Sequence, residues 1–347
     1  MRRSCSVYAV ICTVFAVFCF CGCRADHGKR HDDNTLIIAS PHPLVLIIPV
    51  IQNFENETGI DVRIVQGGTG EIIENILRYP DAAPYDLLWG GSYSSILPVS
   101  SLFETYISIN EPFVQDAYKN TEGVMTRFSD IPSVIMINKK RLGPIPVTGY
   151  TDLLDPRLNG AIAFADPGKS SSSWEHLINM LYAEGGSDPE KGWNYVERFC
   201  QNLDGNLLDG SKDVYTGVAE GKFAAGLTFE EGGANYAEND RNIELVYMKE
   251  GVVFTPDGAC LLKNAPHAVN AKRFIDYTSG ASVQNYISKQ LNRRSIRRDI
   301  YPKRMLPMKD RLPCISADYT YAASHKEQWI QHFHDIFDST VKGRKHE

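Results

Sequence analysis

Cysteine is scarce where it would matter for the fold. Of eight cysteines in 347 residues, Cys5, Cys12, Cys19, Cys21 and Cys23 crowd the first 23 positions, leaving Cys200, Cys260 and Cys314 for the remainder. Three thiols close at most one disulfide, which excludes a disulfide scaffold. Positive charge is also not in excess. The formal net charge of -6 argues against nucleic acid as a partner, yet says nothing against a small anion held locally by backbone amides. The chain contains no G-x-S-x-G elbow, no H-E-x-x-H pair and no G-x-x-x-x-G-K-[ST] loop, so serine-hydrolase, zinc-protease and P-loop chemistries find no support. His176 lies three residues beyond Ser173, but no third partner is evident for a nucleophile and base, and no catalytic residue is assigned.

Long apolar runs are missing after the start of the chain. The first 23 residues read as a secretion signal: Arg2 and Arg3, an apolar run Tyr8 to Phe20 too short to span a bilayer, then Gly22 before Cys23. Cys23 is the expected lipidation site, with Cys19 and Cys21 as alternatives and a retained anchor as the rival reading. Residues 24–34 are a polar linker. Roughly 320 mature residues are enough for two domains of ordinary size.

What is present is a strand-turn-helix pattern. Ala161 to Ala165 has strand length and stops at Asp166-Pro167; Ser170 to Ser173 follow, then Trp174, Leu177, Ile178 and Leu181 at helical spacing. A helix starting inside a serine run offers unpaired amides, hydroxyls and the positive end of its dipole, which can hold an anion. Thr35 to Ala39 runs into Ser40-Pro41-His42-Pro43. Asp61 to Val65 runs into Gly67-Gly68-Thr69-Gly70-Glu71 and an amphipathic helix, and Asp86 to Trp89 into Gly90-Gly91-Ser92. Strands alternating with helices indicate an open α/β sheet with ligand groups gathered at strand C-termini.

Ser133 to Asn138 and Leu245 to Phe254 are the expected crossings into and out of a second lobe. The expected division is therefore 35–137 with 247–347 in lobe 1, including the C-terminal helices, and 138–246 in lobe 2. Ser324 and Glu327 are spaced as a capping box before a final amphipathic helix.

SPHP, GGTGE, DLLWGGS, IPSVIMINKKRL, FADPGKSSSS, GVAEGKFAAGLTFEE, PDGACLL and NRRSIRRD, in this order over Thr35 to Asp299, resemble the extracellular solute-binding proteins of ABC importers. The nearest group binds ferric ion, phosphonates and sugar phosphates. The resemblance implies a type II periplasmic-binding-protein fold of two α/β lobes with two hinge crossings, and no enzyme activity. It implies a monomer that catches solute in its cleft and delivers it to a permease and its ATPase, lipid-anchored in the cell envelope and without a cofactor.

Ferric binders of this group resemble one another in an adjacent tyrosine pair, and this chain has no Tyr-Tyr dipeptide; Tyr215 and Tyr236 stand apart. The candidate ligand residues are Ser40, His42, Gly68, Thr69, Gly70, Ser92, Ser171, Ser172 and Ser173, neutral donors suited to phosphate oxygens. Glu230 and Glu231 join them as acceptors for sugar hydroxyls or an amine. A phosphorylated organic molecule is the expected ligand and ferric ion the alternative, with no metal ligand assigned. Arg293, Arg294, Arg297 and Arg298 read as a solvated helix face.

Overall fold

The computed structural model describes residues 34–79 and 85–344. The signal, Cys23 and nearly all of the linker lie outside the described residues. Three parallel strands begin the fold: β1 (Thr35–Ser40), β2 (Asp61–Gln66) and β3 (Leu87–Ser92), in the order β2-β1-β3. Helix α1 (Leu44–Thr58) connects β1 to β2, burying Leu46, Ile47, Val50, Ile51 and Phe54 on one face. It ends at Gly59, whose φ of 72° lets its amide return to the Glu55 carbonyl. Pro49 is accommodated inside this helix. Helix α2 (Thr69–Arg78) follows β2 and packs Ile72, Ile73 and Ile76 inward.

The long strand β4 (Thr126–Asn138) joins two sheets. Its first half pairs antiparallel with β8 (Phe254–Leu261), which in turn pairs with β3. From Ser133 onward it pairs with β6 (Ala225–Phe229) and β7 (Ile243–Val246) instead, and β6 carries the short parallel strand β5 (Ile162–Ala163). The changeover falls at Pro132, whose missing N-H removes one ladder donor. Beside it, Ser133 N donates to Val253 O at 3.1 Å, so the two crossings run side by side. Each sheet has its own core. Leu36, Ile38, Trp89, Phe128 and Phe274 centre the first; Ile135, Phe164, Trp174, Leu177 and Phe199 centre the second.

Two expectations need correcting. The final helix, Lys326–Arg344, packs on the second core: Trp329, Phe333 and Phe337 join Phe164, Trp174 and Phe199, and Trp329 Nε1 donates to Glu190 at 3.0 Å. The Ser324 capping box does not form. Ser324 ends the preceding helix Tyr319–Ser324, and its hydroxyl donates to the Tyr321 carbonyl at 2.8 Å. The last helix begins at Lys326, and the His325 carbonyl accepts its first amide, from Trp329 at 2.8 Å, so the cap position falls on His325 and Ser324 stands one residue too early to fill it.

Candidate functional site

Because β1, β2 and β3 are parallel neighbours, Ser40, Gln66 to Thr69, and Ser92 lie together at one edge of the first sheet. The start of helix Ser171–Gly185, which belongs to the second core, faces them. Between them is a cavity of about 330 Å³, whose lining includes Ser40, His42, Gly68, Thr69, Ser92, Ser171 and Ser172.

The two sides touch at the rim. Thr69 Oγ1 donates to Ser171 Oγ at 3.3 Å, and Gly70 N donates to Lys169 O at 3.3 Å. Glycine is needed at position 70, since a Cβ there would stand 2.1 Å from the Gly168 carbonyl oxygen. Gly70 therefore serves the approach of the two sides and does not line the cavity. Ser173 does not line it either. It is fully buried, and its amide donates to Ser170 Oγ, the cap of its helix, at 3.4 Å. The serine run thus divides its work between a cap at Ser170 and cavity wall at Ser171 and Ser172.

The hydroxyls differ in what they can still offer. Ser40 commits its proton to the Trp89 carbonyl at 2.6 Å, leaving it an acceptor, also used by the His42 amide at 3.2 Å. Ser92 Oγ donates to Ser95 at 3.0 Å. Ser172 exchanges a bond with Ser170 at 3.1 Å, while Ser171 accepts from Thr69 and keeps its own proton for the cavity. Helices α2 and Ser171–Gly185 bring two N-termini to the same space, each with amides that have no intrahelical partner.

Sequence reasoning missed the charged residues of the wall: Glu175, Asp257, Arg293, Lys169 and Lys212. Lys169 reaches back to Asp209 at 2.6 Å. Glu175 is buried and accepts from Ser94 and, at 2.5 Å, from Thr255; burial pushes its carboxyl above the usual range. Arg293 corrects the reading of the arginine run. The helix Ala281–Gln290 ends before the run and β9 (Arg294–Ser295) pairs with β4, so the run is no helix face. Arg293, Arg294 and Arg297 are buried and only Arg298 of the four is exposed. A guanidinium is buried only against a counter-charge, and each has one: Asp257 and Glu231, Glu230, and Asp299 respectively. The signal was the density of arginine after a helix, but the partners of Arg293 and Arg294 lie 36 to 64 residues away and are invisible to local reading.

Glu230 and Glu231 do not line this cavity. Glu230 is locked by Arg294, with Nε at 2.7 Å and Nη2 at 2.8 Å, and by the Tyr247 hydroxyl. Glu231 instead borders a second cavity of about 460 Å³ that shares Pro43, Lys212 and Phe229 with the first and is also walled by Tyr215, Asn235 and Tyr236. The Tyr215 and Tyr236 rings lie 6.0 Å apart.

Between the cavities His42, Asp257, Arg293 and Glu231 form a buried group. Arg293 Nη2 stands 3.2 Å from Asp257 Oδ2, Arg293 Nε 3.3 Å from Glu231 Oε2, and His42 Nε2 3.4 Å from Asp257 Oδ2. None of these three approaches is a hydrogen bond, although Asp257 Oδ1 accepts from the Ser129 amide and hydroxyl. Burial, with Arg293 adding to it, holds His42 neutral; burial raises both carboxyls, which the guanidinium only partly offsets. Among the described residues, no group of three or more His, Cys, Asp or Glu could hold a metal ion.

Residues 100–320 match the family described as bacterial extracellular solute-binding protein. The chain is 23% identical over 253 residues to Iron uptake protein A1 of Synechocystis sp., covering 68% of each. It is 21% identical to the Putative 2-aminoethylphosphonate-binding periplasmic protein of Salmonella typhimurium, covering 72% of this chain and 73% of that one. In three dimensions it is similar to the periplasmic binding protein AfuA from Actinobacillus pleuropneumoniae with fructose-6-phosphate bound. The TM-score is 0.81 at 19% identity, over 88% of this chain and 98% of that one.

Proposed function

This chain belongs to the bacterial extracellular solute-binding proteins, and from that premise we propose that it captures a small phosphorylated organic anion between two lobes. As the substrate-binding protein of an ABC importer it delivers its solute to a permease, and its place is periplasmic. In this reading Cys23 carries the lipid that holds a monomeric mature chain to the membrane. Lobe 1 is built on β1, β2, β3 and β8 and lobe 2 on β5, β6 and β7; the helix Lys326–Arg344 moves with lobe 2, whose core it completes.

The observation that carries the proposal is the meeting of two helix starts, at Thr69 and Ser171, on one hydroxyl-lined cavity. Each start brings amides and a partial positive charge, so the closed arrangement is favoured by an anion between them. A phosphoryl group has the acceptors to use amides and hydroxyls from both sides. The relatives divide between iron and phosphonate in name, and the donor set here is one for oxyanions.

The test is mass spectrometry of ligand copurified under native conditions, followed by calorimetry on Thr69→Ala and Ser172→Ala. We expect a stoichiometric phosphorylated or phosphono compound and roughly a tenfold loss of affinity in each variant, about one hydrogen bond's worth. Stoichiometric iron, or full affinity in both variants, overturns the reading.

A further inference from the structure

The group between the cavities sets two carboxyls against one guanidinium. Asp257 and Glu231 share the single guanidinium of Arg293, at 3.2 and 3.3 Å, and His42 beside them is neutral. Glu231 is only 3% exposed, and neither of its carboxylate oxygens has a hydrogen-bond partner. A buried carboxylate without hydrogen bonds is costly to the fold, and one bordering a cavity is positioned to be completed from that side. The second cavity is where Glu231 stands, and its other walls are Tyr215, Phe229 and Tyr236. Aromatic faces stabilise a cation and tolerate its methylene chain, while they offer little to a second anion.

The two cavities share Pro43, Lys212 and Phe229, so they adjoin at a common wall. Lys212 is exposed at the shared wall, where its ammonium serves the anionic end of a ligand. Asn235 and Glu238 are already engaged by the Asn292 side chain at 3.0 Å, and Glu238 also by Lys303, which leaves Glu231 as the uncommitted acceptor.

We infer that the second cavity is the subsite for a protonated amine on the same ligand, with Glu231 its acceptor and Tyr215, Phe229 and Tyr236 its shield. The solute is then a phosphorylated or phosphono compound bearing an amine. This rests on the phosphoryl reading of the first cavity. It goes further by distinguishing amine-bearing phosphoryl compounds from sugar phosphates, whose hydroxyls bring no positive charge to Glu231.

The experiment uses ω-aminoalkylphosphonates of two to four methylenes against the alkylphosphonates that lack the amine, by calorimetry on the mature protein. The readout is the ratio of the two affinities within each protein, so a general loss of binding cancels. In the unsubstituted protein we expect a ratio of ten or more at one chain length; in Glu231→Gln it falls toward one, and in Tyr236→Leu it falls severalfold. A ratio near one without substitution, or a ratio that survives Glu231→Gln, overturns the amine subsite while leaving the phosphoryl reading intact. If neither series binds, the phosphoryl reading has failed and the subsite inference falls with it.

Discussion

Glu230 and Glu231 are adjacent, equally buried and opposite adjacent arginines, yet they are in different states. Glu230 holds Arg294 through two hydrogen bonds of 2.7 and 2.8 Å and takes a third from Tyr247. Glu231 faces Arg293 at 3.3 Å out of alignment and has no hydrogen bond at either oxygen. The same contrast separates two buried histidines. His176 is bonded at both ring nitrogens, to the Tyr150 hydroxyl at 2.7 Å and the Thr228 carbonyl at 2.8 Å. His42 has one ring hydrogen bond, accepted at Nδ1 from Arg293 Nη1 at 3.3 Å, and its Nε2 is unbonded. Burial alone does not mark a residue as structural. Where the fold has completed a polar group, that group holds the protein together; where completion is missing beside a cavity, something else supplies it.

The largest effect should come from breaking the completed pair. Glu230→Gln leaves Arg294 as a buried cation without its counter-charge, and we expect a loss of about 3–5 kcal/mol in chemical denaturation. A loss below about 1 kcal/mol would remove the distinction between the two glutamates.

His176 sharpens the contrast through pH. With Nε2-H donated to the Thr228 carbonyl and Nδ1 accepting from Tyr150, the ring has no place for a second proton, and burial lowers its pKa to about 4. A folded pKa below the unfolded value of about 6.5 gives stability that is full above pH 6.5 and is lost as pH falls toward 4. The advantage of the unsubstituted protein over His176→Gln should therefore shrink by about 3 kcal/mol between pH 7 and pH 4. The raised carboxyls of Glu175, Glu231 and Asp257 act in the opposite sense, but they are common to both proteins and cancel in the difference. A gap independent of pH would mean that His176 is not held as the neutral ring.

The strand ends and helix starts were legible in the sequence because their signals are local. A strand-length apolar run, a Gly- or Ser-rich turn and a helical repeat occur within a few residues at Ser40, Thr69, Ser92 and Ser171, and these positions meet in one cavity. The charged wall was not legible. Arg293 is recognisable as a site residue only once β8 brings Asp257, and the helix after β6 brings Glu231, to its side. The same limit explains the last helix: its apolar stripe was plain, but nothing local told which core would receive Trp329 and Phe333. At Ser324 the spacing was right, but the helix starts one residue later than that spacing requires, at Lys326.

The smallest expected effect is also the one that most directly tests whether Glu231 is incomplete. In the ligand-free protein Glu231→Gln should change stability by no more than about 1 kcal/mol, because it removes a buried charge that makes no hydrogen bond and leaves Arg293 still beside Asp257 at 3.2 Å. The direction depends on pH. Burial raises the Glu231 carboxyl above its ordinary value, so the stability tied to its neutral form is present below the unfolded pKa and lost as pH rises through the folded one. Glutamine keeps the neutral shape at every pH and should therefore gain on the unsubstituted protein between pH 5 and pH 8, as read by denaturation at both. A loss above about 2 kcal/mol at both pH values would make the Arg293–Glu231 contact as structural as Arg294–Glu230, and the second cavity would lose its claim to an unfilled acceptor.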